Sequence, residues 1–120
     1  DEVRLYESDS PMGPWRLKRV LLEGVRAADI CYFRHEDKDW ISLTGGDFVS
    51  DVFSEFSLFY SDDILEDTVQ AHSSNPISIY GGSERNAGSI ICDGNDLLRV
   101  SQLKDFDSYG DGLIFRRVDL

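Results

Sequence analysis

A chain of 120 residues and 13.6 kDa with 12 Lys and Arg against 23 Asp and Glu has a formal charge of −11 and a pI near 4.4. A field of that sign repels phosphate, which excludes binders of nucleic-acid backbone or of anionic membrane. Hydrophobic residues at 41% and aromatics at 12% suffice for a packed core in one domain, which excludes a disordered acidic tail.

No apolar run approaches the roughly 18 residues that a spanning helix needs, and no signal-peptide pattern is present, which favours the cytoplasm. The sequence begins at Asp1 without a methionine and reads as a processed or excised piece, or as one whose first residues are missing. Alternation of apolar and polar residues then dominates from the start. Val3 to Ser8 alternates, and Asp9 to Pro14 is dense in turn formers. Trp15 to Leu22 continues as a second strand, ended by Gly24. Ala28 to Arg34 is the third, followed by the charged turn Glu36-Asp37-Lys38-Asp39, and Trp40 to Thr44 returns as its hairpin partner before Gly45-Gly46.

Cys31 and Cys92 lie far apart with no C-x-x-C spacing, and read as two buried free thiols, with a disulfide between them as the alternative. His35 and His72 are too isolated to suggest a metal site. Farther along, Phe56 to Ser61 reads as a strand closed by Asp62-Asp63, either of which can cap one helical turn over Ile64 to Thr68. Asn75 to Ile79 is short and extended, because Pro76 biases Asn75 away from helix. Gly81-Gly82-Ser83 is a loop. Ser89 to Asp93, a tight turn at Gly94-Asn95-Asp96, Leu97 to Ser101 and Leu113 to Val118 complete the chain. No segment keeps a 3.6-residue period, so the fold class is all-β, in antiparallel meander sheets.

A repeat emerges when the strands are aligned. Leu5 to Asp9, Leu58 to Asp62 and Leu113 to Arg117 are offset by 53 and 55 residues, and the hairpin from Asp29 to Leu43 recurs at Ser89 to Ser101 about 60 residues on. Each unit reads as strand, tight turn, strand, loop, strand and extended return, which is the sheet of a propeller blade. The chain then holds two strands of one blade, one whole blade and three strands of a third. About two and a half blades cannot close a ring, so residues 1–120 are expected to be one all-β domain that is a fragment or a truncated form of a propeller. Its open edges call for a homo-oligomer or for the remainder of a larger protein.

Leu5-Tyr6-Glu7-Ser8 with Gly13-Pro14-Trp15 resembles the blade signature of five-bladed propellers of the arabinanase-like glycoside hydrolase type. His72-x-x-Asn75-Pro76, Arg85-x-Ala87-Gly88, Leu98-Arg99-x-x-Gln102 and Tyr109-Gly110 together resemble a series in the N-terminal, hydrolase-like propeller of glucosamine inositolphosphorylceramide transferases. The resemblance implies a carbohydrate-related propeller. In hydrolases of that kind a carboxylate sits on the innermost strand of several blades, and Asp29 matches such a position. The equivalent place in the next blade is near Ser89, so one carboxylate stands where glycoside cleavage needs two.

These residues have plainer uses as well. Asp29 can cap a turn, and Arg85 can pair with Glu84, Asp29 or another acid instead of binding a carboxylate, phosphate or sugar hydroxyl. His72 and Asn75 can bond a sugar or organise a turn. Asp47 and Glu84 are spare loop carboxylates that no spacing singles out. The stretch Asp105 to Gly112 suggests a calcium loop but fails by position, with Tyr109, Gly112 and Arg116 where Asp or Asn, an apolar residue and a bidentate Glu are wanted; it reads as an acidic turn. Trp15, Trp40, Tyr32 and Phe59 can stack on a sugar or fill a core. No nucleophile elbow, catalytic triad order or phosphate loop appears.

The reading is a glycan-binding accessory unit without established catalysis, with a sugar or glycolipid head group as ligand and no cofactor or metal. Asp29, His72, Asn75, Arg85, Arg99 and Gln102 are the expected ligand-binding residues, and Asp29 is also the one catalytic candidate. The alternatives are a glycoside hydrolase or glycosyltransferase component active only in a longer chain or assembled ring, and a structural interaction module.

Overall fold

The computed structural model describes residues 1–46, 53–79, 84–105 and 108–120. Among these there is no helix. Ten strands follow in chain order: β1 (Glu2–Glu7), β2 (Arg16–Glu23), β3 (Ala27–His35), β4 (Lys38–Gly46), β5 (Phe53–Ser61), β6 (Gln70–Ala71), β7 (Ser78–Ile79), β8 (Ile91–Asp93), β9 (Asp96–Asp105) and β10 (Ser108–Val118). Every pairing is antiparallel. The strands form three sheets in sequence order: β1-β2, then β3-β4-β5-β6 with β7 also on β5, then β8-β9-β10. No barrel closes. The expected loop at Gly81-Gly82-Ser83, the spare carboxylate Asp47 and the centre of the acidic turn at Phe106-Asp107 fall outside the described residues.

The core lies between the second and third sheets. Phe33, Trp40, Phe56 and Leu58 come from β3, β4 and β5, and meet Ile90 and Leu97 from the segment around β8 and β9; Tyr60, Ile77 and Val118 pack around them. Trp40 sits at the centre, 6.1 Å from the Phe33 ring, 5.3 Å from Tyr60 and 6.3 Å from His72. Its indole donates to the His35 carbonyl at 3.3 Å, so its one polar atom has a partner. Of the four aromatics that alternation left between core and surface, Trp40 is thus core, whereas Trp15 and Tyr32 are more than half exposed.

Local chemistry sets the turns. The β3–β4 loop has two residues, Glu36 and Asp37, because His35 lies opposite Lys38. Both have positive φ, 49° and 59°, as the hairpin turn that matches strand twist requires. The turn is therefore shorter than its four charged residues suggest, and Lys38 and Asp39 already belong to β4. Neither Glu nor Asp favours a positive φ as Gly does. Replacing the pair by Asn-Gly (E36N/D37G) should raise unfolding free energy by about 1 kcal/mol, read as a higher urea midpoint at unchanged slope. At β8–β9 the same task falls to Gly94, at φ 60°, where no Cβ is strained.

After β5 no helical turn propagates. The Asp63 carboxylate accepts from Leu65 N at 2.8 Å, and its carbonyl accepts from Glu66 N and Asp67 N at 3.2 and 2.7 Å. One cap therefore closes a single turn. Buried Asp39 holds this turn to the hairpin, accepting from Ile64 N at 2.8 Å and from the Tyr32 hydroxyl at 2.7 Å. That hydrogen bond, and then burial, raises the Tyr32 pKa above its ordinary value. The neutral phenol is the form the fold prefers. Its contribution is therefore fully present below about pH 10 and is lost as pH rises through the raised folded value. Urea midpoints measured across the alkaline range should fall less steeply in Tyr32→Phe than in the parent chain.

Candidate functional site

The segment before β8 lies against both neighbouring sheets. Gln102 N donates to the Arg85 carbonyl at 2.8 Å, and Ala87 N to the Val100 carbonyl at 2.9 Å, so residues 85–87 lie along β9 opposite Ser101. On the other side, the Thr44 hydroxyl of β4 donates to the Glu84 carbonyl at 2.9 Å and accepts from Asn86 N at 3.2 Å. Alternation along this extended segment sends Glu84 and Asn86 inward and Arg85 toward the surface.

Inside, Arg99 of β9 makes a fully satisfied network. Its Nε donates to Asn86 Oδ1 at 2.9 Å, its Nη1 to Glu84 Oε2 at 2.7 Å, and its Nη2 to the Glu84 carbonyl. The same Glu84 Oε2 accepts from the Ser78 hydroxyl at 2.7 Å. The guanidinium carbon lies 3.6 Å from the centre of the Phe56 ring, so one face of the cation rests on the core. Arg99 and Glu84 are each 3% exposed. Burial pushes the Arg99 pKa down from its ordinary value, and the hydrogen bond and charge of Glu84 oppose that shift.

Toward the surface, a bulge interrupts β3 between Ala28 and Cys31 and puts Asp29 at φ 50°. Asn86 Nδ2 donates to the Asp29 carbonyl at 2.9 Å and fixes this irregular backbone. The Asp29 carboxylate receives both Arg85 Nε and Arg85 Nη2, the latter at 2.8 Å, in a two-pronged pair. The Asp29 side chain is 21% and that of Arg85 36% exposed, so the pair borders solvent. Beside it, the Cys31 thiol donates to the Gly88 carbonyl at 3.1 Å, and burial raises its pKa. Both cysteines are free, as expected, but only Cys31 is partly covered; Cys92, on a hairpin tip, is exposed instead of buried.

Four of the six expected ligand-binding residues therefore converge. Asp29, Arg99 and Gln102 each bond Asn86, Gln102 through its Nε2 to the Asn86 carbonyl at 3.0 Å, and Arg85 binds Asp29. Of these, Arg99 is inside and only Asp29, Arg85 and Gln102 reach the surface. His72 and Asn75 lie elsewhere, on the return after β5. The Asn75 side chain accepts from Leu58 N at 2.9 Å and donates to the Leu58 carbonyl at 2.6 Å, imitating a strand neighbour. His72 N bonds the same carbonyl at 3.0 Å, and its Nδ1 accepts from Ser74 N at 3.3 Å. These two residues hold backbone.

Sequence reasoning missed Glu84 as the partner of Arg99 and Asn86 as the hub. The available signal was their i, i+2 spacing beside a strand, β9, that carries Arg99 and Ser101 at i, i+2 as well. No family model, curated protein or solved structure matches the chain.

Proposed function

We propose that this chain is a carbohydrate-related accessory unit that binds a glycan without cleaving it, built on a propeller-like succession of sheets. The observation that carries the reading is the Asp29–Arg85 pair. Two residues far apart in sequence meet at the surface over a scaffold of Asn86, Glu84 and Arg99 that fixes both backbones. A sugar hydroxyl both donates and accepts, and a carboxylate beside a guanidinium offers both functions in one plane. The pair is also internally compensated, in a chain of charge −11 that repels anions. Neutral hydroxyls suit it better than phosphate.

Support for the propeller-like element is the order of the sheets. Two strands, then a four-strand meander with one extra pairing, then three strands follow the division that the sequence repeat gives. An enzymatic reading needs a second carboxylate about 5–10 Å across a cleft from Asp29. Glu84, next to Arg85 in sequence, is committed to Arg99 and Ser78 instead.

Calorimetric titration with neutral mono- and oligosaccharides should show saturable binding that weakens about tenfold or more in Arg85→Ala, the loss of one charge-assisted contact. The Arg85 side chain, 36% exposed, borders solvent, which lets that variant fold. A glycan array that stays blank at high protein concentration would overturn the reading.

A further inference from the structure

The outer edge of β10 has no strand partner among the described residues, since the third sheet runs β10-β9-β8. From Gly112 to Val118 the strand is in unbroken register with β9. An open edge of this kind presents a row of backbone donors and acceptors, and natural sheets usually blunt it with Pro, Lys or a bulge. Between Gly112 and Val118 there is no Pro, Lys or bulge, and the two charged residues, Arg116 and Arg117, bond Ser101 and Asp96 of their own sheet.

The face of β10 that points away from the core carries Asp111, Leu113, Phe115 and Arg117 at alternate positions. Leu113 is 57% and Phe115 58% exposed, two adjacent large apolar side chains on one face of the strand. The order acid, apolar, apolar, base reads as its own complement when reversed. An antiparallel copy centred on Ile114 sets Asp111 opposite Arg117, Leu113 opposite Phe115, and the same two pairs again on the other side of the centre. Directly opposed residues share a face, so all four pairs form on the exposed side. A two-fold interface demands this kind of self-complementarity, because each residue must suit what its own symmetry mate presents.

We propose that β10 pairs with β10 of a second copy, antiparallel about a two-fold axis at Ile114, joining two three-stranded sheets into one of six. Arg117 already contacts Asp96 in its own chain at 3.2 Å. A guanidinium carries five N–H donors, so this contact is compatible with a second carboxylate across the axis.

Light scattering and sedimentation of the full chain over a concentration series test the pairing. The expected mass is twice the 13.6 kDa of one chain. L113K/F115K sets lysine against lysine at the centre and should raise the dissociation constant about a hundredfold. Both positions being over half exposed, the far-UV spectrum should not change. D111R tests the register independently: it opposes two guanidinium groups at each end and should weaken the dimer severalfold, with recovery in D111R/R117D. A chain that stays monomeric up to ~1 mM overturns the proposal. So does a dimer indifferent to L113K/F115K, one that responds to L113K/F115K but not to D111R, or an open-ended polymer.

Discussion

Replacing Arg99 by methionine should lower the unfolding free energy by about 3–5 kcal/mol, the scale on which a buried charge left without its partner destabilises a fold. The Glu84 side chain is 2% exposed and faces Arg99 Nη1 at 2.7 Å, so its carboxylate cannot turn to water when the guanidinium goes. Asn86 Oδ1 and the Glu84 carbonyl would lose donors at the same time. Small domains hold only about 5–15 kcal/mol in total, so this one change removes a large part of the margin. The double variant E84Q/R99M takes away the stranded charge and keeps an amide for the Ser78 hydroxyl. It should be more stable than R99M alone, although it carries one more substitution. Urea unfolding of the four chains of this cycle gives the coupling directly, and additive losses would contradict a charge-driven network.

The contrast between Arg99 and Arg85 explains why only part of the site was legible in the sequence. Both are arginines in the same neighbourhood, and both were expected to face a ligand. What separates them is which side of an extended segment each occupies, and alternation fixes relative faces without saying which face looks inward. In Leu97-Leu98-Arg99-Val100-Ser101, apolar residues stand on both faces, so the pattern is silent about where Arg99 points. The structure buries Leu97, Arg99 and Ser101 on one side and Val100 on the other.

Strand existence was easier to read than strand ends. Hairpins β3–β4 and β8–β9 were visible from alternation flanked by turn residues, and the end of β5 was marked by Asp62-Asp63. The left-handed Glu36 and Asp37, and the bulge at Asp29, carry no glycine to announce them. They exist because tertiary hydrogen bonds and strand pairing outweigh local preference. At Asp29 that bond is the one from Asn86, 57 residues away, and no local window contains it. The two-residue strands β6 and β7 are likewise defined by the bonds that Asn75 and Ile77 make to β5 and not by their own sequence.

The core and the network meet at Phe56, and a substitution there separates their contributions. Phe56 is 2% exposed, belongs to the same core cluster as Leu58 and Trp40, and carries the Arg99 guanidinium on its ring at 3.6 Å. Truncation to alanine should cost about 3–5 kcal/mol, from lost apolar burial and from the cavity left between the two sheets. Leucine restores most of the volume but no π face, so Phe56→Leu should recover much of the loss and still fall short of the parent chain. The shortfall has a specific source if the ring supports the cation. In that case it should largely vanish in an Arg99→Met background, where no cation remains to be supported. A packing defect would instead persist at full size in that background. Thermal and urea unfolding of F56L, R99M and F56L/R99M decide between the two. The cation–ring account expects the double variant to be less destabilised than the two single losses added together, by about 1 kcal/mol. Such a result would place Arg99 as the side chain through which the apolar core, the segment bearing Glu84 to Asn86, and the Asp29–Arg85 pair above it are held as one unit.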